Sequence, residues 1–239
     1  VSLNRVVLAL ALLLAALPVH ASGAGSGIRW NSCQGTSNRN FACDRSTGSE
    51  LLVGSFQTPA AIDLCGIEVY MRVTTTEKEI PAWWRMWNAA DCRRNAASLS
   101  VDLSEEAECE DPWQGQATGL YAPHSIDARG LDLRFVIAVP EEMIRTISPG
   151  RSYAGFRWTI THARSNGAAS CAGCETPACI VIERMVLATM NKRDVELTQG
   201  MTGIGGNGNI ATWQGGTPSC GAGNTTKRST WSELKKRYQ

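Results

Sequence analysis

The chain has 239 residues, 23 Lys plus Arg against 22 Asp plus Glu, and a formal net charge of +1. Charged residues make up 19%, below the roughly 25% usual for soluble domains. This near-neutral balance excludes a general nucleic-acid or anionic-membrane binder, which needs a basic footprint. The length fits one domain, or one domain with a small appendage.

The first 21 residues, VSLNRVVLALALLLAALPVHA, read as an export leader. Arg5 supplies the positive start, Val6 to Leu17 is an unbroken apolar run, and Pro18 ends it. Val19-His20-Ala21 forms a cleavage site before Ser22. The apolar run is shorter than the ~20 residues a membrane span needs, so no stable span is expected after cleavage. Losing Arg5 with the leader brings acidic and basic residues to parity. Val1 in place of Met suggests a GTG start and a bacterial source. The expected destination is the periplasm, the cell surface or the medium.

Export changes the meaning of the cysteines, because thiols pair in oxidising compartments. Cys33, Cys43, Cys92, Cys109, Cys171, Cys174, Cys179 and Cys220 are therefore read as disulfides. Short spacing favours Cys33 with Cys43 and Cys92 with Cys109. The remaining four allow three pairings. Cys65 is the odd one, expected to be a small buried hydrophobe in a strand.

In chain order, a Gly/Ser leader at Ser22 to Gly27 precedes the first strand, Leu51 to Phe56. Ile67, Val69, Met71 and Val73 alternate with period two and define one face of the next strand. Trp83 to Trp87 follows Pro81 and fits a strand, with Trp83 and Trp87 on one side and Trp84 on the other. Ala89 to Ala97 suits a turn or two of helix. Leu131 to Val139, Ser152 to Thr161, Ile180 to Leu187 and a short Asn209 to Trp213 complete the strands. Gly200 to Thr226 is rich in Gly, Asn and Thr and reads as linker or glycine-bent hairpins. Thr230-Trp-Ser-Glu233 is a capping box, and Trp231, Leu234 and Tyr238 then share one face of a short helix. The expected fold is all-β: a disulfide-stapled β-sandwich or jelly-roll-like domain at 22–199. A Gly/Asn/Thr-rich segment at 200–228 and an amphipathic C-terminal helix at 229–239 follow.

Chemical motifs are sparse. Cys171-Ala-Gly-Cys174 lacks the helix that a redox C-x-x-C opens, because Pro177 and a β-branched run follow. A zinc site would need Cys220 as its fourth thiol, so structural bonds are the preferred reading. His124 and His162 have no Gly-x-Ser-x-Gly nucleophile motif to serve. The run Asp102, Glu105, Glu106, Glu108, Glu110 and Asp111 matches no EF-hand loop and reads as a solvated loop pinned by Cys109. No phosphate-cradling or dinucleotide fingerprint occurs, so no cofactor is expected. Half of the eight tryptophans, Trp83, Trp84, Trp87 and Trp113, lie within about thirty residues. Sugar rings stack on flat aromatic faces, which makes Trp83, Trp87 and Trp113 the candidate ligand-binding residues. The competing expectation for such large apolar rings is burial.

Taken together, Trp30-Asn-Ser-Cys33, Asn40-Phe-Ala-Cys43, Leu52-Val-Gly-Ser-Phe56, Pro81-Ala-Trp-Trp84, the Cys171 to Ile180 motif, Ala211-Thr-Trp-Gln-Gly-Gly216 and the Thr230 to Tyr238 ending resemble a family of exported bacterial proteins of unknown function. The resemblance spans most of the chain and implies an exported, cysteine-stapled protein with no catalytic residue to transfer. Separately, Ile180 to Leu187 is similar to the closing strand of carbohydrate-binding jelly rolls. The functional expectation is an exported non-catalytic binding module, with a glycan or another envelope or extracellular protein as partner. The alternatives are a structural or surface-assembly protein with a C-terminal docking element, and a carboxylate-based hydrolase.

Overall fold

A computed structural model describes residues 23–127, 130–201 and 208–215. The expected leader, Cys220 and the C-terminal helix lie outside the described residues. Among the described residues, twelve strands run in chain order. They are β1 (Gly25–Trp30), β2 (Asn38–Arg39), β3 (Ser49–Gln57), β4 (Ile62–Thr75), β5 (Ala97–Ser100) and β6 (Thr118–Asp127). There follow β7 (Gly130–Ala138), β8 (Arg145–Ile147), β9 (Tyr153–Thr161), β10 (Ala178–Thr189), β11 (Val195–Leu197) and β12 (Ile210–Trp213).

The strands form two sheets. One has the order β1-β3-β9-β5; the other runs β2-β12-β10-β4-β7-β6, with β11 on β10 and β8 on β4. Their inner faces meet in one core, as the all-β sandwich expectation requires. Period two does the sorting. On β4, Ile67, Val69, Met71 and Val73 face in; on β7, Leu131, Leu133, Phe135 and Ile137 do. On β10 the buried positions change parity, from Ile180 and Ile182 to Met185 and Leu187. A register shift between Ile182 and Arg184 inserts the extra residue that keeps both halves facing the core. Phe135 bridges the layers, 4.9 Å from Phe156 of β9, edge to face.

Several sequence expectations need correction. Gly25 to Gly27 is not leader but half of β1, an edge strand buried along its whole length. A Cβ on Gly27 would lie 2.4 Å from Met201 Cε and 2.6 Å from Ser55 Oγ, so glycine is there for close packing. Gln199, Met201 and Gly208 cover that edge through Ser26 N–H to Gln199 O, Met201 N–H to Ser26 O and Ile28 N–H to Gly208 O bonds. The sandwich therefore extends past residue 199, because Met201 is buried and β12 pairs with β10. Ala89 to Ala97 closes through single turns, such as Arg94 N–H to Asp91 O, and not through a helix.

Trp83 to Trp87 is not a strand. Ala82–Trp84 is one 3-10 turn entered from Pro81. Its three-residue pitch lets neighbouring Trp83 and Trp84 both point inward, whereas a strand would have sent them to opposite faces.

The disulfides differ from the local pairs expected. Cys33 bonds Cys109, Cys43 bonds Cys174 and Cys92 bonds Cys171, with Cα atoms 6.0, 5.9 and 5.9 Å apart. Loop-closure entropy rises only slowly with length, so proximity in sequence is a weak guide once the sheets have fixed which loops meet. Cys179 is also disulfide-bonded. Cys65 is free, as expected, but half-buried and not sealed in the core.

Candidate functional site

Three regions concentrate chemistry-bearing side chains. The first is an aromatic box under the Cys43–Cys174 bond. Trp213 of β12 stacks on Phe41 at 4.2 Å and approaches Trp83 at 4.6 Å and Trp84 at 5.8 Å. Trp30 closes it against Phe41 at 4.6 Å, and its indole N–H donates to Thr212 O. The Trp213 indole donates to Cys174 O at 2.6 Å. Fully buried His162 sits beside it, with Nε2 2.7 Å from Glu50 Oε1. Arg93, also buried, stacks on Trp83 at 3.5 Å and donates to the carbonyls of Trp83, Thr161 and Ala163. Burial pushes its guanidinium down to about 9, so it still carries its charge at neutral pH.

This corrects the ligand assignment made from sequence. Trp83 is fully buried inside the box. Trp113 is buried at the other side of the core, its indole donating to Gly155 O at 2.8 Å. Neither ring offers a face to a ligand. Trp87 alone of the three is only half-buried, edge-on to Tyr121 at 6.5 Å. The clustering of tryptophans in sequence reflects packing: large apolar rings hold the turn-rich end of the sandwich where the strands alone leave gaps.

The second region is the outer face of the larger sheet, which the sequence reading missed. Period two places Glu68, Tyr70 and Arg72 of β4 beside Asp132 and Arg134 of β7 and Arg184 of β10. Arg184, Tyr70 and Arg134 form one cross-strand row. The Tyr70 ring lies between two guanidinium groups, 3.9 Å from that of Arg184 and 5.7 Å from that of Arg134. Its hydroxyl donates to Glu68 Oε1 at 2.6 Å, and the same carboxylate accepts from Arg134. Burial and that hydrogen bond push the Tyr70 phenol up, so it remains a donor at neutral pH. Arg72 bridges Asp127, at 2.8 Å, and Asp132. Partial burial works to lower its pKa, but the two carboxylates outweigh it and hold the guanidinium above its usual range. The result is a flat lattice of alternating charge around one aromatic ring. The signal was present in sequence as the polar phase of two alternating strands, but which phases meet is set by register.

The third region is a depression of about 460 Å³ lined by Ala89, Asp91, Arg93, Arg94, Ala163 and Arg164 among others. It lies between the turns after Trp87 and after β9, held together by the Cys92–Cys171 bond.

The acidic run is spent on tethers. Glu108 accepts from Ser32 Oγ at 2.6 Å and Gln34 N–H at 2.9 Å, Glu105 pairs with Arg157 at 3.1 Å, and Glu110 pairs with Arg151. Asp111 accepts from the Trp113 N–H at 2.8 Å, and Glu106 from the Cys33 N–H at 3.3 Å. Three of these contacts reach the loop that carries Cys33 of the Cys33–Cys109 bond. No group of three or more metal-ligating side chains occurs among the described residues. No helix among them is long and apolar enough to cross a membrane.

No family model and no curated protein matches the sequence. Among solved structures, the chain is similar to a cohesin module from a Clostridium perfringens family 33 glycoside hydrolase. That match has 6% identity and a TM-score of 0.36, over 80% of this chain and 93% of that one. It is also similar to a CBM3 module of Hungateiclostridium clariflavum, at 9% identity and a TM-score of 0.31, over 65% of this chain and 92% of that one. A family 3a carbohydrate-binding module from a Clostridium thermocellum scaffolding gives 13% identity and a TM-score of 0.28, over 65% and 94%. These are distant likenesses, and nothing about this chain's own ligand follows from them.

Proposed function

We propose that this chain is an exported, non-catalytic binding module and that its ligand is a glycan held on the outer face of the larger sheet. The observation that carries the reading is the cross-strand row Arg184, Tyr70 and Arg134, with Glu68, Arg72 and Asp132 around it. Sugar hydroxyls both donate and accept. A rigid surface that alternates carboxylates with guanidinium groups offers both partners at fixed spacing, and the strands pre-organise it. Export is supported by the three crosslinks, which persist in oxidising compartments, and by the leader-like 1–21 segment. The Trp83 and Trp113 stacking platform is no part of this proposal.

The test is retention on a panel of immobilised polysaccharides and a glycan array. The wild-type chain is expected to bind at least one polymer, and Tyr70→Ala with Arg134→Ala is expected to lose that binding while keeping its unfolding midpoint. Binding that survives the double substitution overturns the assignment of the face.

A second reading, a structural or surface-assembly protein, is favoured by the β6 edge. Leu120 and Ile126 of that strand are 63% and 41% exposed. Among the described edges β6 is the long open one, since β1 is covered, β5 has four residues and β2 two. Exposed apolar edges of this kind recruit another strand. Chain-concentration-dependent self-association abolished by Leu120→Lys would favour this reading over the first. The expected C-terminal docking element lies outside the described residues.

A further inference from the structure

We infer that the Arg93, Arg94 and Arg164 depression is an oxyanion site that reads the sulfate or carboxylate group of an acidic glycan. The glycan part of this inference rests on the reading above; the oxyanion part does not.

The argument begins with charge that has no partner. Arg72, Arg134, Arg151, Arg157 and Arg184 each pair with a carboxylate. Arg93, Arg94 and Arg164 pair with none among the described residues. All three line one depression. Its one acidic member, Asp91, is already engaged, with Oδ2 accepting from the N–H groups of Trp87 and Asn88 at 2.8 and 2.6 Å. Arg93 is only 1% exposed and is held by three carbonyls and the Trp83 ring, with no carboxylate. Carbonyl dipoles stabilise a buried guanidinium, but they leave its unit charge uncancelled. That charge lies in the lining of the depression, which exposed Arg94 and Arg164 also line, so the three add to one positive potential there.

The site is also built to stay in place. Arg164 Nη1 donates to Cys92 O at 3.0 Å, and the Cys171 N–H donates to Arg164 O at 2.8 Å. The Cys92–Cys171 bond then ties the turn bearing Arg93 and Arg94 to the segment after Arg164. The crosslink fixes the spacing of the two segments that carry these arginines before any ligand arrives. Guanidinium groups bind sulfate and carboxylate through paired N–H donors, and a depression of about 460 Å³ admits such a group with part of the sugar that bears it.

Exposed Arg94 and Arg164 are the positions to change, because Arg93 supports the fold. The full chain is titrated by calorimetry with sodium sulfate, dextran sulfate, polygalacturonate and uncharged dextran. The same titrations use Arg94→Glu/Arg164→Glu and a control of equal charge change, Arg145→Glu/Arg193→Glu, at the other end of β10. Wild type and control are expected to bind an anionic probe alike. The depression variant is expected to bind at least about tenfold more weakly, the size of losing one charge-assisted contact. Should that variant not fold, Arg94→Gln/Arg164→Gln gives the same comparison. Preference for dextran sulfate or for polygalacturonate distinguishes sulfate from carboxylate. Equal loss in variant and control, or no anion binding by the wild type, overturns the site. Binding of sodium sulfate without either polymer upholds the oxyanion site and overturns its glycan source. Retention of neutral polymers that depends on Tyr70 and Arg134, with no anion binding by the wild type, leaves the sheet-face reading standing while this one falls.

Discussion

The aromatic box, built from β1, β12 and the 3-10 turn, and the outer face of the larger sheet, built from β4, β7 and β10, obey opposite rules. In the box, Trp30, Trp83, Trp84 and Trp213 meet through rings; Trp30 and Trp213 donate their indole N–H groups to carbonyls and Trp83 donates to Ser165 Oγ. On the face, Tyr70 is one ring among charges, and polar atoms are shared between neighbours in a lattice. The contrast teaches where to look for recognition in this chain. Its most conspicuous residues serve stability, and the glycan binding we propose lies in the inconspicuous polar phase of β4, β7 and β10.

The two regions respond differently to damage. The largest expected effect is on the box. Replacing Cys43 and Cys174 together by Ser removes a crosslink spanning 131 residues and is expected to cost about 5 kcal/mol by loop entropy. Urea unfolding measures it. Trp213→Ala follows, at about 3–5 kcal/mol for a fully buried indole at the centre of the cluster. A cost below about 1 kcal/mol in either would show that the box is loosely packed and would erase the contrast.

The face is expected to show the reverse pattern. Arg134→Ala should shift stability by less than about 0.5 kcal/mol, as surface changes do. It should nevertheless weaken retention on whichever polysaccharide the wild type binds. A stability loss as large as that of Trp213→Ala would make the lattice a structural element instead.

The smallest effect concerns acid. Hydrogen bonds from Ser32 and the Gln34 N–H hold the Glu108 carboxyl below its ordinary range. Its folded pKa is depressed, so its contribution is present above the unfolded pKa, near 4.3. That contribution is lost as pH falls through the lower folded value. Glu108→Gln should therefore narrow the stability difference between pH 5.5 and pH 3.5 (~2 units around that pKa), read as urea midpoints. An unchanged difference would remove Glu108 as a titrating tether.

Much of the architecture was legible in local pattern. The alternation of Ile67 to Val73 and of Leu131 to Ile137 gave two central strands directly, since period-two burial is written residue by residue. Gly25 to Gly27 was illegible because glycine carries no period. Its place in β1 depends on Met201 and Ser55 arriving from elsewhere. Ser22 to Gly27 therefore read as leader. Trp83 to Trp87 misled for a related reason: a short apolar run is compatible with strand or turn, and the choice fell to Pro81 and to the Ala172 carbonyl that receives the Trp83 N–H.

By itself, the order of residues determined the class of fold, the phase of its long strands and the pool of cysteines available for crosslinking, because each of these depends on neighbours along the chain. The tertiary structure alone decided which cysteines meet, which tryptophans are inside and which arginines are left without a carboxylate. Those outcomes depend on sheet order and register, which bring together groups more than seventy residues apart, and local spacing carries no information about them.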